Sequence, residues 1–352
     1  MEDSPVRNFS IQSHTGPYQV EFNNSLINSN ELNNLGTHYI VDRNVFGYLG
    51  EHFYKAMANK HVVLVDATEE TKSYKGIEPV FSELLDHGLK KDSVLVAIGG
   101  GITQDITCFV ANTFMRGIKW IFVPTTLLAQ ADSCVGSKSS INFGKTKNIL
   151  GSFTPPKKVI ISEQFLSTLA DRDVKSGIGE IIKLYLVDGQ LVSSDEIRKD
   201  LTTHLYNTLQ IKKKYIETDE FDTGIRNILN YGHCFGHAIE SSTNFGIPHG
   251  IAISIGMDVA NLFAKNEGLI TAEEYQEMHK VLYSNYTGFT DVAIKIAPVF
   301  AALSKDKKNT GSKINLILPV DGVLEKRGFE NNSTLTKLIT NVLFQMPVNF
   351  VD

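Results

Sequence analysis

Three histidines, His233, His237 and His249, fall within one stretch, Asn227 to Gly250 (NILNYGHCFGHAIESSTNFGIPHG). His233 and His237 are four residues apart, so on a helix they share one face. His249 follows a break, Asn244-Phe245-Gly246-Ile247-Pro248, and sits beside Gly250. Two imidazoles one turn apart, with a third on the next segment, can converge on a divalent ion. They can equally be histidines satisfied by hydrogen bonds at a helix end and a turn. The motif is not HExxH, because Cys234 follows His233.

A second cluster of chemistry lies upstream, in SGIGEIIK. Glu180 and Lys183 are three apart and share a helical face, the ordinary pattern of a surface ion pair. Here Ile178, Ile181, Ile182 and two glycines surround them and predict burial, where a carboxylate needs a cation. Glu180 with His233 and His249 would make a Glu/His/His set with open positions for substrate oxygens, as zinc enzymes use. Lys212 and Arg226 precede the histidines. Arg226, at the start of a predicted helix over 226–243, suits a two-point contact to a carboxylate, or a pairing with Asp222 or Glu220. Lys307-Lys308 before a turn is either solvated surface or a phosphate clasp.

The third chemical feature is Gly99-Gly100-Gly101, after the apolar run SVLVAI. A strand ending in glycines and entering a helix brings backbone N–H groups close to an anion at the positive end of that helix. A dinucleotide pyrophosphate is the usual guest, although the GxGxxG spacing is absent. Asp105, one turn in, could bond a ribose or nicotinamide amide, or favour the helix start. The stretch VPTTLLAQADSCVGSKSSINFGKTKN is dense in polar groups. Thr125 and Thr126 can cap the next helix or bond a cofactor. Lys138, Lys147 and Asn148, among small residues, suit a phosphate or polyol pocket or a solvated lysine loop.

The elements that must position these groups follow from periodicity. FSIQ and YQVEF read as a hairpin about Thr15-Gly16-Pro17. THYIVD, HVVLVD, SVLVAI, KWIFVP and KVIIS are short continuous apolar strands. They alternate with helical patterns: one through Phe53 and Ala56, one with Val80, Leu84 and Leu85 inward, and one over Thr103–Met115 with Ile106, Val110 and Phe114 inward. That alternation predicts a parallel α/β sheet, a nucleotide-binding domain over residues 1–165. Beyond Pro155-Pro156 and the last of these strands the pattern turns helical, at 173–187, 195–216, 226–243, 250–267, 272–284 and 333–345. Only INLILPV reads as a strand, so residues 166–352 form a mainly α domain for metal and substrate.

Composition sets limits. The chain has 352 residues, 42% hydrophobic and 21% charged, with a formal net charge of −5, which disfavours an extensive nucleic-acid surface. No apolar run approaches a membrane span of roughly 18–20 residues. The N-terminal MEDSPVRNFSIQSHTG is acidic and polar, unlike a secretory signal. Cys108, Cys134 and Cys234, odd in number and widely spaced, form no disulfide framework and suit a reducing cytoplasm.

Taken jointly, GGGITQD, RGIKWIFVPTTLLAQADS, SKSSIN, KTKNILGSF, SGIGEIIK and LNYGHCFGHAIE followed by HG resemble the 3-dehydroquinate synthases and their relatives, the sugar phosphate cyclases. The resemblance runs from IVDRN to the DKK near 306, in family order and spacing. It implies a cytoplasmic homodimer in which bound NAD is reduced and reoxidised within one turnover while zinc or cobalt holds substrate hydroxyls. The metal ligands it implies are Glu180, His233 and His249. Substrate and phosphate contacts match Asp132, Lys138, Lys147, Asn148, Lys183, Lys212, Arg226, Asn230, His237, Lys307 and Lys308, with Arg116 reaching the neighbouring subunit's phosphate site. NAD contacts match Asp42, Asn44, Glu69, Lys72, Gly100, Gly101, Asp105, Thr125 and Thr126, with the pyrophosphate on the turn that Gly99 opens. The implied reaction converts 3-deoxy-arabino-heptulosonate 7-phosphate to 3-dehydroquinate and phosphate. Relatives take sedoheptulose 7-phosphate or glucose 6-phosphate, and polyol dehydrogenases or a non-catalytic relative share the expected fold. Three positions depart from the synthase pattern: Ser137 with Ser139-Ser140, Cys234 for Thr, and Ile251 for Glu. Arg226 and His237 favour the synthase proper.

Overall fold

The computed structural model describes residues 7–352 apart from 29–30, 49–54, 56, 59, 145 and 305–311. The helical pattern read through Phe53 and Ala56 and the Lys307-Lys308 pair lie outside the described residues. The chain forms two compact units, Met1–Ala170 with Ile216–Phe221, and Asp171–Tyr215 with Asp222–Asp352.

The first unit is built on a sheet of seven strands. They are β1 (Phe9–Ile11), β2 (Tyr18–Phe22), β3 (His38–Asp42), β4 (His61–Val65), β5 (Val94–Gly99), β6 (Lys119–Pro124) and, after a separate hairpin of β7 (Lys138–Phe143) and β8 (Thr146–Phe153), β9 (Lys158–Ile161). The order is β1-β2-β9-β6-β5-β3-β4, parallel throughout except for the β1–β2 hairpin. Every residue of β3 is buried, as expected for a strand covered on both faces. Helix Gly101–Thr113 leaves the end of β5 with Ile106 and Val110 buried, and Phe114 is buried just beyond it. Leu85, read as inward, is 55% exposed, because helix Glu78–Asp86 turns only Val80 and Leu84 to the sheet.

The second unit is mainly helical. Its centre is helix His249–Asn266, in which every residue from Gly250 to Ala264 is buried. Helices Asp171–Val187, His233–Ser242 and Ala272–Tyr286 pack around it. The crossings are close because glycines make them. A Cβ on Gly250 would fall on the carbonyl oxygen of Ser176, and one on Gly179 on that of Gly250. On the other side, a Cβ on Gly256 would fall on the carbonyl oxygen of Gly232 and 2.6 Å from the Gly236 nitrogen.

Three elements differ from the reading of periodicity. Residues 226–243 are not one helix: a 3-10 turn, Ile225–Asn230, ends before Gly232, whose φ of 74° breaks the chain direction, and the helix starts at His233. Arg226 is therefore not on the helix that carries His233. Likewise 195–216 breaks at Asp200, whose carboxylate accepts the Thr203 N–H at 3.2 Å and caps helix Leu201–Thr218. Finally, β10 (Lys313–Val320) pairs antiparallel with a strand not read from the sequence, β11 (Val323–Glu330). That strand is charged and largely exposed, so it carries no apolar run. Its signal was the turn Asp321-Gly322, both residues at positive φ, the dipeptide that a two-residue hairpin demands.

Gly256→Ala should destabilise the protein by about 1–3 kcal/mol, since the added methyl has no room between two helix backbones. Gly47 lies in helix Arg43–Tyr48, and no atom of the described residues comes within 4 Å of where its Cβ would stand. Gly47→Ala should therefore leave stability unchanged or raise it by up to about 1 kcal/mol. Urea unfolding of the two variants beside the parent checks both signs.

Candidate active site

The second unit brings four of the expected residues to one point. Glu180 and Lys183 lie on Asp171–Val187, with side chains only 1% and 2% exposed, and are paired through Glu180 Oε2. Glu180 Oε1 lies 3.4 Å from His249 Nε2 and 3.9 Å from His233 Nε2. His237 joins them: the ligating atoms of His233, His237 and His249 all lie within 4.8 Å of one another, His237 being the exposed member.

The hydrogen bonds behind the imidazoles decide what they present. His233 Nδ1 is 3.2 Å from the Tyr231 carbonyl oxygen, which can only accept, so Nδ1 carries the proton. His249 Nδ1 is 3.1 Å from Glu240 Oε2 and donates to it in the same way. Each neutral ring then turns an Nε2 lone pair toward the Glu180 carboxylate. Two lone pairs facing a buried anion repel unless a cation or a proton stands among them. This donor set, one carboxylate oxygen and two imidazole nitrogens whose opposite N–H groups are anchored, fits a divalent ion. Burial pulls the His249 pKa down, but its hydrogen bonds to Glu180 and Glu240 outweigh that and raise it to about 10, the proton taking the cation's part.

Lys212 on helix Leu201–Thr218 and Arg226 on its 3-10 turn are both buried, at 5% and 7% exposure. Glu220 accepts hydrogen bonds from the Ser13 hydroxyl at 2.6 Å and the His14 N–H at 2.8 Å. Asp222 accepts from the Asn227 amide at 3.2 Å. The Asn230 amide donates to the Asn227 carbonyl at 3.0 Å, tightening the turn that carries Arg226.

The first unit holds the remaining groups. Gly99, Gly100 and Gly101 make the turn from β5 into helix Gly101–Thr113. Thr103 closes over Gly99, and the Thr126 methyl lies 3.1 Å from where a Cβ on Gly100 would be. The Thr103 and Thr125 hydroxyls beside this turn are buried without a hydrogen-bond partner among the described residues, donors suited to a bound polar group. Thr126 Oγ1 accepts the Ala129 N–H at 3.2 Å. Asp105 is not a helix-start residue but a half-buried anchor. Its carboxylate accepts from Lys72 Nζ at 3.1 Å and the Ser140 N–H at 3.1 Å, and burial raises its pKa against the pull of Lys72. Lys72 also donates to Asn148 at 2.9 Å. Glu69 binds the Asn142 amide at 2.7 Å and lies 3.7 Å from Lys147.

The lysine stretch is thus a β hairpin rather than a loop. It places Lys138 at its base and Lys147 at its tip, so these two are not together. Lys138, Asp105 and Asn148 line one open groove on it. Asp42, at the end of β3, accepts the Asn44 N–H at 2.9 Å. Asp132 sits in the turn Ala129–Ser133, and Arg116 is exposed at a φ of 64°. Glu240 and the Tyr231 carbonyl were missed by sequence reasoning. For Glu240 a signal existed, because it lies three and seven residues after His237 and His233, on their helical face.

The family model of the 3-dehydroquinate synthase N-terminal domain matches residues 62–176, and that of the C-terminal domain matches residues 177–309. The chain is 36% identical over 295 residues to a 3-dehydroquinate synthase from Alkaliphilus metalliredigens, covering 80% of this chain and 82% of that protein. This chain belongs to the 3-dehydroquinate synthase family. Solved structures with this fold include 2-deoxy-scyllo-inosose synthase complexed with carbaglucose-6-phosphate, NAD+ and Co2+. It has a TM-score of 0.82 at 24% identity and covers 95% of this chain and 99% of that one. Another is 2-epi-5-epi-valiolone synthase from Streptomyces hygroscopicus subsp. jinggangensis with NAD+ and Zn2+, with a TM-score of 0.77 at 22% identity, covering 93% and 96%. A 3-dehydroquinate synthase fold with its motifs in place accounts for the α/β first unit and the helical second one. Among the described residues, no helix is long and apolar enough to cross a membrane.

Because the His249 pKa is raised, it adds stability to the cation-free protein that is complete below about pH 6.5 and is lost as pH rises through about 10. An ion arriving at Nε2 must displace that proton. Zinc binding at pH 7 should therefore release about one proton, measurable by calorimetry in buffers of different ionisation enthalpy. His249→Ala should abolish both the release and tight binding.

Proposed function

We propose that this chain is a carbocycle-forming phosphate lyase with 3-dehydroquinate synthase activity, converting 3-deoxy-arabino-heptulosonate 7-phosphate to 3-dehydroquinate and phosphate. The observation that carries the reading is the buried Glu180 carboxylate facing two anchored imidazoles, His233 and His249. Its cofactors are NAD and a divalent zinc or cobalt ion, which supply a hydride acceptor and donor and Lewis acidity toward substrate oxygens. Glu180, His233 and His249 hold the metal. Lys183, ion-paired with Glu180 and buried with it, keeps a cation where substrate oxygens develop charge. His237, at the exposed rim of the cluster, contacts the substrate.

Arg226 and Lys212 bind the substrate carboxylate. Both are buried cations, and a cation held away from water favours an anionic ligand. A carboxylate matches the guanidinium fork with two parallel hydrogen bonds. Lys138 and Asn148, which share one groove, orient the phosphate with Lys307 and Lys308. Gly99, Gly100 and Gly101 with Thr125, Thr126, Asp105, Lys72, Glu69, Asp42 and Asn44 hold NAD, and Asp132 and Asn230 belong to the substrate contacts. The protein acts in the cytoplasm as a homodimer, with Arg116 of one subunit completing the phosphate site of the other.

Arg226→Ala should cost about 2–4 kcal/mol in kcat/KM for the keto acid phosphate and leave metal content unchanged. Phosphate release without net change in NAD, measured across a panel of sugar phosphates, tests the assignment. Faster turnover of sedoheptulose 7-phosphate or glucose 6-phosphate would replace the synthase reading with that of another sugar phosphate cyclase.

The dimer is tested by mixing. Arg116→Ala and Lys138→Ala subunits, each inactive alone, should regain activity together, because the mixed dimer has one site with both residues intact. Absence of recovery in a mixture shown to exchange subunits would exclude the shared site.

A further inference from the structure

Glu240 is a carboxylate that touches the histidine cluster from outside it. It sits in the last turn of helix His233–Ser242, on the face that carries His233 and His237. An anion there is opposed by the helix dipole, and the last turn holds no basic residue to offset it. Its contact is with the next helix: Oε2 lies 3.1 Å from His249 Nδ1, with side chains 19% and 27% exposed. His249 is the first residue of its helix, after Pro248, so the intrahelical hydrogen bonds that would steady a later side chain do not brace it.

An imidazole flanked by two carboxylates has a choice. With its neutral-state proton on Nε2 it would point that N–H at Glu180 and offer no lone pair there. With the proton on Nδ1 it offers Nε2 toward Glu180 Oε1, 3.4 Å away. The acceptor at Nδ1 settles which form prevails, and Glu240 is that acceptor. The Tyr231 carbonyl does the same for His233 through the backbone. His249 depends on a side chain, so its tautomer can be changed by mutation.

We propose that Glu240 is a positioning residue for the metal centre, fixing the tautomer and ring orientation of His249 so that Nε2 is presented as a ligand. This rests on the reading of His249 as a metal ligand. The test measures zinc and cobalt affinity by competition with a chromophoric chelator for the parent, Glu240→Ala, Glu240→Gln and His249→Ala. The visible spectrum of the cobalt-loaded proteins is recorded alongside, with far-UV circular dichroism confirming the fold. Glu240→Ala should weaken metal binding by about 10–100-fold and alter the cobalt spectrum. Glu240→Gln keeps a carbonyl acceptor for the Nδ1–H and should recover affinity to within a few-fold of the parent, with a parent-like spectrum. Parent-like affinity in Glu240→Ala overturns the proposal, and so does a loss in Glu240→Gln as large as that in Glu240→Ala, because charge rather than the hydrogen bond would then be responsible. If Glu240→Ala does not fold, the Gln variant decides, since intact affinity requires only the retained acceptor. Tight binding in His249→Ala would instead overturn the ligand assignment.

Discussion

The second unit depends on backbone-to-backbone contact between three helices. Ordinary side chains hold helix axes about 8–10 Å apart. Here the carbonyl oxygens of Ser176, Gly250 and Gly232 occupy the places where methyl groups of Gly250, Gly179 and Gly256 would stand. Each contact is next to a chemically important side chain: Gly179 precedes Glu180, Gly232 precedes His233, Gly236 precedes His237, and Gly250 follows His249. Glutamate and histidine side chains are short, so they meet only if the helices bearing them nearly touch. Glycine inside a helix costs about 1 kcal/mol against alanine. The continuous burial of Gly250–Ala264 offsets that cost and makes this helix the common partner of the others.

Burying Glu180 imposes the next requirement. A carboxylate at 1% exposure needs compensating charge, and Lys183 beside it supplies part. Behind the cluster the same central helix carries further polar anchors. Asp258 accepts from His279 at 2.6 Å and from Tyr286, and Asn261 binds the Tyr231 hydroxyl. Tyr231 then offers its carbonyl to His233. This buried network resists rotation, because breaking any of its hydrogen bonds strands a buried polar group. It holds the imidazole that faces Glu180 in one orientation from the core outward.

In the first unit the organising contact is the Lys72–Asp105–Asn148 set, which ties helix Gly101–Thr113 to the β7–β8 hairpin. Asn148 adopts a φ of 51°, a conformation asparagine tolerates better than most residues. Residues that look like separate motifs along the chain become one polar framework beside the triglycine turn. Asp105 places Lys72 and the Ser140 N–H within this framework.

Periodicity and composition by themselves determined the parallel sheet, the helical second half and the motif order, because burial on both faces of a strand or one face of a helix leaves a repeat in the sequence. They also determined that Glu180 is buried, from the isoleucines and glycines around it. Tertiary structure alone decided the break that puts Arg226 on its own turn, since a single glycine at positive φ redirects the chain without disturbing the apolar pattern. It decided that Lys138 and Lys147 sit at opposite ends of a hairpin and that β11 exists, because charged strands draw their order from a partner rather than from their own hydrophobicity. And it decided that His237 and Glu240 join His233, His249 and Glu180, because convergence within hydrogen-bonding reach depends on how closely helix backbones approach, a distance that no spacing along the chain encodes.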